Sequence, residues 1–341
     1  MGRPGGRADA PALIGVDLGD WDVFADCVRL CPASCIETLV VRGPDAEDFL
    51  QRLISCDLER VLTGSGSRGT LLDGKGRIIA YFDVHRMDDG LLLVTDEELV
   101  AALVQHLERL IILEDVELCR GGYAVVSIQG HEAVAKAEEL TGLAPASFLA
   151  SESWRDGWVV NRPRCPAYGF DLIVPVGEMT QLEQELQSHG VEMASPESSE
   201  RARIEAGLPR IGYEVTERSL PPEVGLEDAI SYDKGCYAGQ EVLARIRTYG
   251  HVNRQLRRLS IEDTDRSELP RVEVGDDLFA SDGAEKAVAK VTSIACGDGI
   301  VHLLASVRRS HAAEGTALIW QSQAGQEQRR YSGEVKLPFC P

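Results

Sequence analysis

Between Ser231 and Gly250 the chain reads S-Y-D-K-G-C-Y-A-G-Q-E-V-L-A-R-I-R-T-Y-G. Cys236 stands between Gly235 and Gly239, and Lys234 precedes it by two residues. After Gly239 the apolar residues Val242, Leu243 and Ile246 fall on one side of a helical period, with Glu241, Arg245 and Arg247 elsewhere. The residues ahead of a helix offer unpaired backbone N–H groups and the positive end of its dipole. A thiol placed there beside a lysine is expected to ionise more easily than an ordinary cysteine. The competing reading of the same residues is a glycine-rich turn around a half-buried cysteine.

The second chemical candidate is Glu205 in R-A-R-I-E-A-G-L-P-R, at the end of a short helix beside a Gly/Pro turn. A carboxylate accepts two parallel hydrogen bonds from a planar amidine-like edge, and the 2-amino-4-oxo edge of a pterin presents such donors. The alternative is a solvated helix glutamate paired with Arg201. Other motifs fail on context. Gly64, Gly66 and Gly69 match G-x-G-x-x-G literally but lead into a strand, where a dinucleotide loop needs a helix. Gly69 to Lys75 resembles a phosphate loop, yet Gly76 stands where Ser or Thr would hold magnesium. Cys27, Cys31 and Cys35 match no standard metal-ligand spacing, so no metal site is assigned.

The elements that must carry these residues read as α+β. A strand is expected over 37–42, then a helix opened by Pro44 with Phe49, Leu50, Leu53 and Ile54 on one face. Residues 69–86 read as a hairpin about a G-K-G turn. Thr95 and Glu98 have capping-box spacing ahead of a leucine-bearing helix. Further strands are expected near 123–128, 158–160 and 169–174, and helices near 132–140, 178–189 and 199–206. From about Val252 short alternating strands suggest a small antiparallel barrel. We therefore divide the chain into an N-terminal extension (1–35), expected to be partly disordered, a central α+β region (36–251) and a C-terminal barrel (252–341).

The formal net charge of −20 argues against a nucleic-acid groove or an anionic membrane as the main partner, while leaving room for a local basic pocket. Nine cysteines without a regular framework point to a reducing compartment. The first residues lack a signal-peptide core, and no run is long enough to span a membrane. A cytoplasmic location is expected.

D-K-G-C-Y-A-G-Q-E-V-L-A-R resembles the signature of the YgfZ-type folate-binding proteins, which assist iron–sulfur cluster assembly or repair and are relatives of the glycine-cleavage aminomethyltransferase (T-protein). G-P-D-A-E-D-F-L-Q-R-L-I-S-C-D-L (43–58), L-L-D-G-K-G-R (71–77), R-I-E-A-G-L-P (203–209) and V-A-K-V-T-S are similar to further family motifs in the same order. The resemblance, covering about residues 36–320, implies a ring of two interleaved α+β domains and an antiparallel β-barrel, with tetrahydrofolate in its central channel. It places Glu205 against the pterin and Lys234, Gly235, Cys236, Gln240, Glu241 and Arg245 near the folate. Iron–sulfur client or assembly proteins are the implied partners.

Departures from the T-protein pattern matter equally. Its Asp-Asp pair aligns with Ala80 and Tyr81. Asp83, two residues after Tyr81, is expected on the same face of the strand and is a candidate substitute. The T-protein's R-T-G-Y-T-G-E-D-G segment is reduced to N-R-P-R-C-P-A-Y-G (161–169). Two readings follow: a folate-binding accessory protein with Cys236 as its working thiol, or a folate-dependent one-carbon transferase or demethylase acting on a small amine, ether or sulfonium.

Overall fold

The structure, a computed structural model, describes residues 28–29, 36–262, 271–281, 286–297, 299–321 and 330–338. Its strands in chain order are β1 (Val28–Arg29), β2 (Ile36–Arg42), β3 (Gly66–Leu72), β4 (Ile78–Met87), β5 (Gly90–Asp96), β6 (Glu117–Arg120), β7 (Tyr123–Gly130), β8 (Ser151–Trp154), β9 (Gly157–Asn161), β10 (Tyr168–Pro175), β11 (Glu192–Met193), β12 (Arg254–Glu262), β13 (Asp277–Ala280), β14 (Ala287–Gly297), β15 (Ile300–Arg308), β16 (Ala317–Gln321) and β17 (Arg330–Lys336). The helices are α1 (Ala46–Leu53), α2 (Glu97–Glu108), α3 (Ala133–Thr141), α4 (Met179–Ser188), α5 (Pro196–Ala206) and α6 (Gln240–Tyr249).

Three sheets result. The first has the order β3-β4-β5-β2-β6, the second β11-β1-β7-β10-β9-β8, and the third closes as the barrel β12-β15-β14-β13-β16-β17. Because β1 precedes the first sheet in sequence but pairs with β7 in the second, the two open sheets interleave. The cysteines at 27, 31 and 35, and the expected disorder of the N-terminus, fall outside the described residues.

Strand period two decides what faces the site. On β4, Ala80, Phe82 and Val84 join Leu39, Phe49, Leu50 and Leu103 in the core beneath α1 and α2. Alternate residues face the second sheet, where Met87 packs with Val40, Leu92, Val160 and Ile173. The other side of the second sheet buries Ile128, Phe170 and Leu172 against Ala137 of α3 and Leu182 and Leu186 of α4. Barrel residues such as Leu259, Val291, Leu303 and Val335 fill a separate core, and α5 seats against β14 and β15.

Local chemistry shifted three expected helix starts. Pro44 lies in a turn before α1, and the Asp45 carboxylate accepts a hydrogen bond from the Asp115 N–H rather than capping its own helix. Thr95 does not cap α2 either. Its hydroxyl donates to the Tyr81 carbonyl across the sheet, which leaves Asp96 as the residue preceding the helix. α5 begins at Pro196, earlier than the periodicity suggested, with the Ser195 hydroxyl accepting from the Ser198 N–H. Its stop at Gly207, φ +73°, is the expected one.

Candidate functional site

The first sheet, the second sheet and α5 enclose a cavity of about 360 Å³. Val94, Val125, Val126 and Phe82 supply apolar walls, and Arg68, Tyr81, Asp83, Asp96 and Arg162 are among its polar residues. Tyr81 and Asp83 share one face of β4, as their spacing predicted.

Asp83 is buried, with its Oδ2 2.5 Å from Arg162 Nε. Burial alone would raise its carboxyl, but the Arg162, Arg68 and Arg164 guanidiniums outweigh it and hold the group below the ordinary range. Arg164 in turn pairs with buried Asp171 at 2.5 Å, which also accepts from Ser127 Oγ at 2.6 Å. The segment carrying both arginines is pinned by Gln129, whose amide donates to the Arg162 carbonyl (2.9 Å) and accepts from the Arg164 N–H (2.6 Å). Gly169 is required for this clip, since a Cβ there would lie 2.0 Å from Gln129 Oε1. Arg68 and Arg162 both lie over the Phe148 ring, their guanidinium carbons 5.5 and 5.3 Å from its centre.

Asp96 also lines the cavity and is less buried than Asp83. Its Oδ2 accepts a short hydrogen bond from the Tyr81 hydroxyl, and among the described residues its Oδ1 takes no side-chain or backbone donor. Burial, reinforced by the Asp96 charge, pushes the Tyr81 hydroxyl well above its ordinary value, so the phenol keeps its proton. Glu97, Glu98 and Arg210 rim the opening, with Arg210 3.6 Å from Glu98.

Glu205 lies elsewhere. On α5, Ser199 and Arg203 line the cavity one turn apart, whereas Arg201 and Glu205 turn to the barrel. Glu205 Oε1 accepts from Arg201 Nε at 2.8 Å and lies 3.1 Å from His302 Nε2 of β15, while Arg258 of β12 donates to its backbone carbonyl. Glu205, expected against a pterin, is not among the residues lining this cavity; its Oε1 lies at the seam between α5 and the barrel. Arg203 crosses the same seam, bonding Glu200, Glu214 and Ser293 Oγ (2.8 Å).

The glycine-flanked stretch is also outside the cavity. Leu226 and Ala229 line it, but Ser231, Tyr232 and Asp233 lie beyond the wall, on a second, more open pocket of about 480 Å³ shared with Cys56 and Arg247. Lys234 is a structural peg. Its Nζ donates to Gln51 Oε1 (3.1 Å) and to the Ile54 (3.0 Å) and Cys56 (2.6 Å) carbonyls, fixing the end of α1. Burial lowers its pKa. Gln240 reaches back to the Lys234 carbonyl at 3.3 Å. Glu241 and Arg245 form an exposed pair at 3.4 Å, and Arg247 stacks over Tyr232. Cys236 is exposed, four residues before α6 begins.

Of the two flanking glycines only Gly239 is demanded by the backbone. Its φ is +80°, and a Cβ would lie 2.7 Å from Gly76 Cα, so the two glycine turns nest. Gly235 has open space around it. The residues that sequence reasoning missed are Arg68, Asp96, Arg162 and Arg164. The only sequence signal for them was the arginine spacing in N-R-P-R and the acidic run T-D-E-E.

With this geometry in hand, comparison with known proteins is decisive at the family level. A profile of the GCVT N-terminal domain matches residues 22–234. The chain belongs to that family. It is 28% identical over 266 residues to an aminomethyltransferase of Exiguobacterium sibiricum, covering 75% of this chain and 73% of that one. It is 26% identical over 243 residues to the tRNA-modifying protein YgfZ of Klebsiella pneumoniae, covering 70% and 72%. Among solved structures it is similar to the glycine cleavage system aminomethyltransferase T from Bartonella henselae, with a TM-score of 0.78 and 21% identity, over 93% of this chain and 87% of that one. This last likeness establishes the aminomethyltransferase-like fold of the GCVT family member described here.

Proposed function

We propose that the cavity binds a reduced folate, and that the protein serves as a folate-binding accessory factor for iron–sulfur enzymes. The observation that carries the folate reading is Asp96. It is a cavity carboxylate with one oxygen fixed by Tyr81 and the other open to a donor, set among apolar walls. The 2-amino and ring N–H donors of a pterin match that acceptor, and the flat ring suits the Val94, Val125 and Phe82 walls. A cavity of about 360 Å³ falls within the usual size of small-ligand sites. The anionic tail of a folate finds cationic side chains at Arg210 near the mouth or at Arg68 deeper in. Tetrahydrofolate supplies a one-carbon acceptor nitrogen; this chain's residues bind, orient and exclude water around it. In this reading residues 36–251 form the folate-binding part and 252–341 the barrel that braces α5.

Asp83 argues against aminomethyl transfer through this carboxylate. A general base is most effective with a pKa near the working pH, and Asp83 is held in the opposite direction by its guanidinium neighbours. The iron–sulfur assignment is supported by the resemblance of the Lys234–Arg245 signature and by the accessibility of Cys236. Calorimetric titration of tetrahydrofolate tests the folate reading. Saturable binding, weakened about tenfold or more in Asp96→Asn, is the expected result, since a hydrogen bond to a charged acceptor contributes about 1.5–3 kcal/mol. Absence of binding at millimolar ligand overturns it. Catalytic formation of a one-carbon folate from an amine, ether or sulfonium donor would replace the accessory role with a transferase.

A further inference from the structure

The charged residues lining the cavity are sorted by position. Asp96, Glu97 and Glu98 stand together where β5 runs into α2, and all three are more exposed than Asp83. Arg68 and Arg162 flank buried Asp83 instead. Asp83 is the ladder partner of Val94, so Asp96 lies two residues further along β5, about 7 Å away by strand rise. Two other cations of the lining already have carboxylate partners: Arg203 has Glu200 and Glu214, and Arg210 has Glu98 and Glu200.

Around Asp83 three guanidiniums meet two buried carboxylates. Asp83 accepts from Arg162 Nε, and Asp171 accepts from Arg164 Nε and Nη2. Arg68 lies directly across the ladder from Asp83, yet it bonds through Nη1 alone to Asp228, at 3.0 and 3.3 Å. The Asp228 side chain is half-exposed and lines the neighbouring open pocket, so its charge is screened by solvent. Among the described residues, Arg68 Nε and Nη2 meet no acceptor, and neither does Arg162 Nη2. Nε and Nη2 form the edge of a guanidinium that grips a carboxylate through two parallel hydrogen bonds. The Phe148 ring holds both groups, their guanidinium carbons 5.5 and 5.3 Å from its centre. Burial lowers the pKa of Arg162; the Asp83 charge opposes this, and those of Arg68 and Arg164 add to it. An anion placed here offsets that repulsion.

We propose that Arg68 and Arg162 form a subsite for the carboxylate of a second small molecule, bound beside the folate. One two-pronged edge and one further donor suit a planar carboxylate, whereas a tetrahedral phosphate has a third oxygen to satisfy. The acids at 96–98 repel the same group, which orients the molecule with its anionic end toward Asp83 and Arg162. The folate is directed elsewhere, its pterin donors to Asp96 and its anionic tail to Arg210 at the rim. The carboxylate contact stands without the folate reading, and only the neighbour rests on it.

Calorimetric titration of acetate and propionate into the full-length protein tests the subsite, with methylammonium and inorganic phosphate as comparison probes. The titrations are repeated in the presence of tetrahydrofolate and of a tetrahydropterin that lacks the tail. Both monocarboxylates are expected to bind saturably at millimolar concentration, with or without either pterin, and methylammonium is expected not to bind. Arg68→Gln is expected to weaken acetate binding about tenfold or more. Arg68→Lys keeps the charge beside Asp228 but loses the two-pronged edge, and is expected to weaken it about fivefold or more. An unchanged melting temperature in either variant shows that the subsite and not the fold was altered. Absence of monocarboxylate binding at about 10 mM, or binding that both variants leave intact, overturns the proposal. Phosphate binding tighter than acetate and lost in the same variants overturns it as well. Displacement of acetate by tetrahydrofolate or the tetrahydropterin also overturns it, since the arginines then belong to the folate. Acetate binding kept where tetrahydrofolate does not bind strikes the folate reading and supports the carboxylate contact.

Discussion

Asp83 of β4 and Arg162 of the loop after β9 form a buried ion pair, Oδ2 to Nε 2.5 Å, that ties the first sheet to the second across the cavity floor. Removing one partner strands the other charge in the interior, so Asp83→Asn is expected to cost about 3–5 kcal/mol, read from denaturant unfolding. Because neighbouring Arg68 and Arg164 also face this carboxylate, the folded value lies below the ordinary 3.8. The pair's contribution is therefore fully present above about pH 4 and is lost as pH falls through the folded value. Wild-type stability should fall over that acid range, and Asp83→Asn should show a shallower fall. Equal acid slopes would remove Asp83 from this role.

Glu205 should behave as a seam residue. Glu205→Gln weakens the bond to Arg201 and the contact with His302 between α5 and the barrel. A loss of about 1–3 kcal/mol in stability is expected, with tetrahydrofolate affinity changed less than twofold. Asp96→Asn should show the reverse pattern. If Glu205→Gln abolishes folate binding at unchanged stability, the assignment of the two carboxylates is inverted.

The two signature glycines separate cleanly. Gly239→Ala places a Cβ against Gly76 at positive φ and is expected to cost more than about 1 kcal/mol. Gly235→Ala meets nothing within 4 Å and should be close to neutral. Thermal melts of the two variants check the contrast, and equal losses would show that the glycine turns do not nest.

Much of this architecture was legible in the sequence, for a local reason. The hairpin of β3 and β4 and the shared face of Tyr81 and Asp83 follow from strand period and turn residues, and α6 from helical period. What escaped reading depends on long-range placement. No local pattern says that Arg162 and Arg164 reach Asp83 and Asp171, because Gln129, from a strand some 30 residues earlier, holds their backbone. Glu205 was read by its chemistry, but its direction is set by the register of β15, which brings His302 beneath α5. Lys234, read as an activator of Cys236, is spent on the Ile54 and Cys56 carbonyls just after α1, which the sequence does not reveal as neighbours.

The thiols should differ sharply in reactivity. Burial pushes the Cys56 thiol up to about 12 despite nearby Lys234, whereas Cys236 is exposed. Alkylation with iodoacetamide followed by mass spectrometry should label Cys236 and exposed Cys296 first, and leave Cys56 and Cys165 protected until unfolding. Lys234→Met, which leaves the Ile54 and Cys56 carbonyls short of a donor, should cost about 2 kcal/mol and speed Cys56 labelling through local opening. Cys236→Ala removes no packing contact that the fold depends on, so stability and tetrahydrofolate affinity should match wild type. Activity of an iron–sulfur enzyme in the host should nevertheless fall in that variant if Cys236 is the working thiol. Full cluster-enzyme activity with Cys236→Ala, at wild-type protein level, would show that the thiol takes no part and that the accessory role must be sought elsewhere on the surface.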